Sequence, residues 1–185
     1  MPFRRKPARP RASLDEAALY NYAVKALGRR MRTEVELRRL LVARADPSPH
    51  GQSDIAAVIA RLKDQRYLDD RSFAETYARL RRENEKFGKR RVQQDLKQKG
   101  IGSDLIASTL EARYAETNEE ALAREHLERK RIAKPTNEKE TARVVRRLVA
   151  AGFSTGVICK TLRQWNVPEE SLAALDNLED DPRED

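Results

Sequence analysis

The sequence predicts an all-α protein of three tandem three-helix repeats, tri-helical and helix-turn-helix-like, laid out as an elongated curved array. Three observations predict it. Charged residues make up 37% of the chain and aromatics only 5%, and the seven Gly and eight Pro fall between runs of Ala, Leu, Arg, Glu and Gln, a balance that suits helices and gives strands little support. Apolar residues recur at i, i+3, i+4 and i+7 behind residues that cap helices. The cycle restarts about every 50 residues, within the range of helical repeat arrays.

In the first cycle Ser13-Leu14-Asp15-Glu16 reads as a capping box, and the helix behind it aligns Leu19, Tyr22, Ala23, Ala26 and Leu27. Thr33 with Glu36 opens a second helix striped by Leu37, Leu40 and Leu41. Two prolines make Asp46-Pro47-Ser48-Pro49-His50-Gly51 a predicted loop, after which Ser53 caps a third helix carrying Ile55, Val58, Ile59 and Leu62. The second cycle starts at Asp69, an N-cap for a helix with Phe73, Ala74, Tyr77 and Leu80 inward. Gly88 breaks that helix. A short basic helix follows with Val92 and Leu96 buried, ended by Gly100 as a left-handed cap, and Ser103 starts the next with Leu105, Ile106 and Leu110. In the third cycle Thr117 and Glu120 open a helix relying on Ala123 and Leu127. Asn137 and Glu140 open one with Val144, Val145 and Leu148, ended at Gly152. Ser154 or Thr155 opens the last, with Val157, Ile158, Leu162 and Trp165 inward, and Pro168 stops it.

The cycles superpose. Leu37, Val92 and Val144 are equivalent, as are Leu41, Leu96 and Leu148, while Ala45, Gly100 and Gly152 share one turn, followed in the last two cycles by Ile101 and Phe153. The boundaries are therefore residues 1–12 for a basic tail without fixed structure, 13–66, 67–115 and 116–167 for the repeats, and 168–185 for an acidic tail. A three-helix unit of this size is thin, so neighbouring units should stack.

Charge is uneven. Arg4, Arg5, Lys6, Arg9 and Arg11 give the first segment +5. Eight acids against Arg183 give residues 168–185 a charge of −7. With a net charge of +8, the stretch between carries +10. A folded region so basic suits a polyanion or an acidic protein surface, and the acidic tail reads either as a competitor for that surface or as a solubilising terminus. The middle helix is basic in every cycle: Arg38 and Arg39 in the first, Lys89, Arg90, Arg91, Lys97 and Lys99 in the second, Lys139, Arg143, Arg146 and Arg147 in the third. With Arg30 and Arg32, these residues (Lys139 aside) are the candidate partner- and DNA-binding set.

Catalytic chemistry finds no foothold. His50 lies in the Pro-rich segment. His126 lies on a charged helix with no Cys or second His at ligand spacing, so no metal ligand set is predicted. No phosphate-cradling Gly-rich loop is present, and no cofactor is expected. Adjacent Asp69 and Asp70 read as helix-capping acids, because neighbours on a helix point apart and the macrodipole favours anions there. Cys159, the sole cysteine, can form no intrachain disulfide and reads as a small core residue. Neither a signal peptide nor a membrane span is evident, so a cytoplasmic setting, no membrane and a monomer are expected.

These residues also resemble a known family. Tyr22-Ala23, Arg30-Met31-Arg32-Thr33 and Glu36-Leu37-Arg38 resemble the opening motif of RecX regulatory proteins, and Tyr67-Leu68-Asp69-Asp70 with Phe73-Ala74 resembles their most recognisable signature. Phe87-Gly88, Arg90-Arg91 and the run Leu96 to Ile101 are similar to the next, and Gly152-Phe153-Ser154 with Ile158 and Leu162 to the last. Thr33 stands where Ser is usual, Lys89 where Pro often sits, and the segment 46–51 looks like an insertion. The resemblance implies structural roles for Tyr67, Leu68, Asp69, Asp70, Phe73, Gly88, Leu96, Gly100, Gly152 and Phe153. It also implies a non-enzymatic modulator that binds the RecA recombinase filament on single-stranded DNA and inhibits its ATPase, strand-exchange and coprotease activities in recombination, DNA repair and the SOS response. Some members of the family also bind DNA directly, with duplex DNA a second expected partner. The rival readings are a helix-turn-helix transcription regulator, which would read duplex half-sites, and a helical scaffold for an acidic protein.

Overall fold

The computed structural model describes residues 13–167, so the expected tails at 1–12 and 168–185 lie outside the described residues. Among the described residues there are nine α-helices and no strand beyond an isolated bridge between Leu14 and Ala45. The described residues divide into two compact units, the first ending at Phe73 and the second starting at Ala74.

The first unit holds α1 (Glu16–Arg29), α2 (Glu34–Val42) and α3 (Pro49–Asp64). Their apolar stripes meet in a core of Leu19, Ala23, Leu37, Leu41, Ile55, Val58, Ile59, Leu62 and Leu68. Each fully buried Leu or Ile contributes roughly 1.5–3 kcal/mol through the apolar area it removes from water. The N-terminus of α2 is doubly satisfied: the Thr33 hydroxyl accepts from the Glu36 N–H at 3.1 Å, and the Asp70 carboxylate accepts from the Glu34 N–H at 2.9 Å. Asp69 caps the helix that follows, accepting from the N–H groups of Arg71 and Ser72 at 2.9 and 3.0 Å. The paired acids thus cap two different helices.

The second unit holds most of α4 (Asp70–Glu85), then α5 (Lys89–Gln98), α6 (Ser103–Tyr114), α7 (Glu119–Arg129), α8 (Glu138–Ala150) and α9 (Thr155–Arg163). Glu75 pairs with Arg113 at 2.7 Å and the Tyr114 hydroxyl donates to the Phe87 carbonyl at 2.9 Å, which ties α4 and its exit to α6. Helix α9 packs on α7 and α8.

Several local expectations are corrected. Asp15, not Ser13, caps α1 through the Ala18 N–H, and Asn118, not Thr117, caps α7 through the Ala121 N–H. Helix α3 starts at Pro49 behind Ser48 rather than at Ser53. The missing N–H of Pro is no loss at a helix start, where that group is unpaired anyway, so the expected loop is shortened by one helical turn. Leu80 is 41% exposed, while Ala78 takes its place in the core. Ala74 and Ala78, one turn apart, mark the buried stripe of α4, and Leu80 falls off that stripe. Cys159 is half-buried on α9.

Five helices end the same way. The N–H groups of Tyr67, Ile101, Ile132, Phe153 and Val167 donate to the carbonyls of Leu62, Leu96, Leu127, Leu148 and Leu162, five residues back. The residue before each donor has a left-handed backbone: Arg66, Gly100, Arg131, Gly152 and Asn166, with φ of 58°, 81°, 52°, 90° and 53°. This is the Schellman closure, which satisfies the terminal carbonyls of a helix. All five leucines are fully buried, so the closure is nailed to the core at each end. Ala45 is not among the left-handed residues, so the turn aligned with Gly100 and Gly152 is built differently in the first cycle.

Candidate nucleic-acid interface

The basic middle helices of the second and third cycles, α5 and α8, meet end to end. The Gly88 N–H donates to the Ala151 carbonyl at 2.9 Å and the Arg90 N–H to the Gly152 carbonyl at 3.3 Å. The free donors that open α5 thereby satisfy the free acceptors that end α8. Only glycines permit this. A Cβ at Gly88 would lie 2.4 Å from the Gly152 carbonyl oxygen, and one at Gly152 would lie 2.2 Å from the Arg91 nitrogen. The joint places the last turn of α8, with Arg147, against the first turn of α5, with Lys89 and Arg90.

His126 seals the same seam from inside. It is 5% exposed, with its ring 5.9 Å from that of Phe87 and 6.1 Å from that of Phe153. Its Nδ1 lies 3.0 Å from the Glu85 carbonyl oxygen. A carbonyl can only accept, so Nδ1 carries the proton. Burial, the largest influence, pushes its pKa below the ordinary histidine value, which keeps the ring neutral. The apolar spacing of α7 selected Ala123 and Leu127 and overlooked His126, whose place on the inner stripe between Leu122 and Leu127 was the available signal.

The sequence-predicted cations separate into two kinds. Lys89, Arg90, Lys97, Arg143, Arg146 and Arg147 are exposed in the second unit, as are Arg30, Arg38 and Arg39 in the first. Arg38 pairs with Glu34 at 3.1 Å, and Lys63 pairs with the same carboxylate. Their hydrogen bonds hold Glu34 below the usual carboxylate range. Arg32, Arg91 and Lys99 are committed to the fold. Arg32 donates to the Ala26 carbonyl at 3.4 Å, and Lys99 lies 5.4 Å from the centre of the Tyr77 ring. Arg91 is half-buried, with its guanidinium 5.6 Å from the Phe87 ring centre and its Nε 3.0 Å from Asp95.

The motif residues also sort by burial. Leu68, Phe73, Leu96 and Phe153 are core, and Gly88, Gly100 and Gly152 shape backbone. Tyr67 is 59% exposed, and its N–H serves the closure of α3. With Met31 and Arg66 it borders a small cleft of about 110 Å³ in the first unit. A larger cleft of about 290 Å³ lies between α8 and the segment joining it to α7. It is lined by Arg143 and Arg147 together with Arg131 and Lys134, two cations that the reading of helices alone passed over. The signal for Arg131 was present: it lies between Leu127 and Ile132 as Gly100 lies between Leu96 and Ile101.

Among the described residues no three His, Cys, Asp or Glu side chains gather as a metal set, and no helix is long and apolar enough to cross a membrane.

A family model described as RecX, second three-helix domain, matches residues 69–110. The chain is 33% identical over 156 residues to a protein of Leptothrix cholodnii named Regulatory protein RecX, covering 84% of this chain and 90% of that one. It is 35% identical to a protein of the same name from Mycolicibacterium vanbaalenii, covering 68% of each. Against the Oceanobacillus iheyensis protein of that name it is 30% identical, covering 82% of this chain but 55% of the relative, so the chain spans little more than half of that longer protein. A crystal structure of RecX from Lactobacillus salivarius shares the fold, with a TM-score of 0.67 at 20% identity, covering 82% of this chain and 97% of that one. With the ordered motifs spread over both units and identities of 31–35% reaching across most of several relatives, the chain belongs to the RecX family of regulatory proteins.

Proposed function

We propose that the protein is a non-catalytic regulator that docks on the RecA recombinase filament on single-stranded DNA and lowers its ATPase, strand-exchange and coprotease activities, acting as a cytoplasmic monomer in recombination, DNA repair and the SOS response. The observation that carries the reading is the joint of α8 and α5. It holds two basic helices in a fixed end-to-end arrangement, with Arg147, Lys89 and Arg90 exposed around it. Asp95, an acid on α5, is tied to Arg91, so it does not neutralise those cations. A fixed row of cations suits a periodic polyanion or an acidic filament groove.

The test adds the purified protein, below one copy per recombinase subunit, to filaments formed on single-stranded DNA, and follows ATP turnover. Hydrolysis should slow with protein concentration, and Lys89→Gln with Arg90→Gln should require more protein for the same effect. Unchanged turnover at stoichiometric protein would refute the reading.

A further inference from the structure

The cleft beside α8 is lined by five cations and one carboxylate, so its chemistry is one-sided. The chain leaving α7 closes with Arg131 in the left-handed region, φ 52°, anchored by the Ile132 N–H on the Leu127 carbonyl at 2.9 Å. It then returns to α8 through the buried Pro135. This brings Arg131 and Lys134 to one wall, and Arg143 and Arg147, one helical turn apart on α8, to the other. Ile132 and Val144 supply apolar lining between them.

The cleft has one carboxylate, Glu140, and it is engaged. It accepts from the Thr136 N–H at 2.8 Å and the Thr136 hydroxyl at 2.9 Å. These hydrogen bonds first, and the charge of Arg143 to a lesser degree, hold it below the usual carboxylate range. A fifth cation, Lys130, pairs with Glu85 at 3.5 Å. Among the described residues, no ion pair ties Arg131, Lys134, Arg143 or Arg147 to a carboxylate. Four cations gathered around one carboxylate leave the cleft with an excess of positive charge, and an anion lying between them relieves their repulsion. Three of the four are guanidiniums, whose planar fork matches phosphate oxygens two at a time.

We propose that this cleft is a binding site for the phosphodiester backbone of single-stranded DNA, with Arg131, Lys134, Arg143 and Arg147 on the phosphates and the half-buried Ile132 against sugar or base. The lining side chains are donors and apolar groups, and the one acceptor is engaged. Cations of this kind engage phosphates whatever the base beside them, so the cleft holds a strand chiefly by its backbone. The choice of single-stranded DNA among polyanions rests on the proposed filament function, whereas the anion chemistry of the cleft does not.

The experiment measures anisotropy of a labelled oligothymidylate with the full chain across a salt titration, and filament ATP turnover in parallel. The variant Arg131→Gly with Arg147→Gln removes one cation from each wall, and glycine adopts the left-handed backbone at 131 without strain. A control, Lys25→Gln with Arg29→Gln on α1, makes the same change in net charge elsewhere. The cleft variant should bind at least about tenfold more weakly at low salt, and its salt slope should flatten by about 1.4, as expected for two lost contacts to a single strand. The control should stay within about twofold. Lys134→Gln, a single change in the connecting segment, should show the same trend at half the slope change if the double variant does not fold. Equal affinities for the cleft variant and the control would overturn the proposal. So would a cleft variant that loses filament inhibition but keeps its DNA affinity, since the cleft would then serve an acidic protein surface. Cleft-dependent DNA binding by a protein that never slows the recombinase would support the site and refute the filament function.

Discussion

Replacing Gly152 by Ala tests the joint between α8 and α5. An L-residue at φ 90° costs about 1–2 kcal/mol. The added methyl would lie 2.2 Å from the Arg91 nitrogen and 2.4 Å from the Arg91 Cβ, atoms that cannot swing aside without moving α5. The joint must open, which weakens the bonds from Gly88 to Ala151 and from Arg90 to Gly152, each contributing about 0.5–1.5 kcal/mol net. Together the variant should lose about 2–5 kcal/mol, a large share of the stability of an ordinary domain. Trp165, the only tryptophan, lies just beyond α9 in the second unit, so its fluorescence in a urea titration reports that unit alone. A Cβ at Gly156 in α9 meets nothing within 4 Å, so Gly156→Ala is the control and should gain up to about 1 kcal/mol. A Gly152→Ala midpoint within about 0.5 kcal/mol of the parent would refute the close backbone contact and, with it, the fixed arrangement of the two basic helices.

Other outcomes follow from the same seam and core. His126 has a folded pKa below its unfolded value of about 6.5, so the unfolded chain binds the extra proton first. Its contribution to stability is full above that value and is lost as pH falls through it toward the folded pKa. His126→Leu should therefore show a shallower loss of stability than the parent between about pH 7.5 and 5, and identical slopes in paired urea melts would place the ring in water. Arg91→Ala should lower stability by about 1–2 kcal/mol because its stem packs on Phe87 and its Nε faces Asp95. Arg90→Ala, exposed beside it, should stay within about 0.5 kcal/mol; equal losses would mean that the two arginines play the same role. Leu148→Ala should cost about 2–5 kcal/mol from a fully buried site. Leu80→Ala should cost less than about 0.5 kcal/mol at its exposed one, and the reverse order would restore Leu80 to the core.

The sequence by itself determined the helical class, the inner stripes and most of the helix ends, because these depend on chemistry within a turn or two of chain. A hydroxyl or amide at Thr33, Asn137 or Ser154 caps the donors two or three residues ahead, and a buried leucine five residues before an apolar donor closes a helix whichever residue takes the left-handed place. It also exposed the motifs by which the family is recognised, since those are the same local signals in a fixed order. Where two local signals competed it chose wrongly: Ser13 over Asp15, Thr117 over Asn118, and a loop through Pro49 where proline in fact opens α3. What only the tertiary structure decided lies where distant segments touch. Nothing near Gly88 announces that its missing side chain makes room for Gly152, or that His126 fills the space between two phenylalanines from different cycles. Charge patterning likewise counts Arg90 and Arg91 alike, yet one faces water and the other is held by a ring and a carboxylate. The cleft at Arg131 and Lys134 belongs to the same class. Its cations are separated along the chain from Arg143 and Arg147, and an electrostatic site exists only where folding brings like charges together and leaves their counter-charges bound elsewhere.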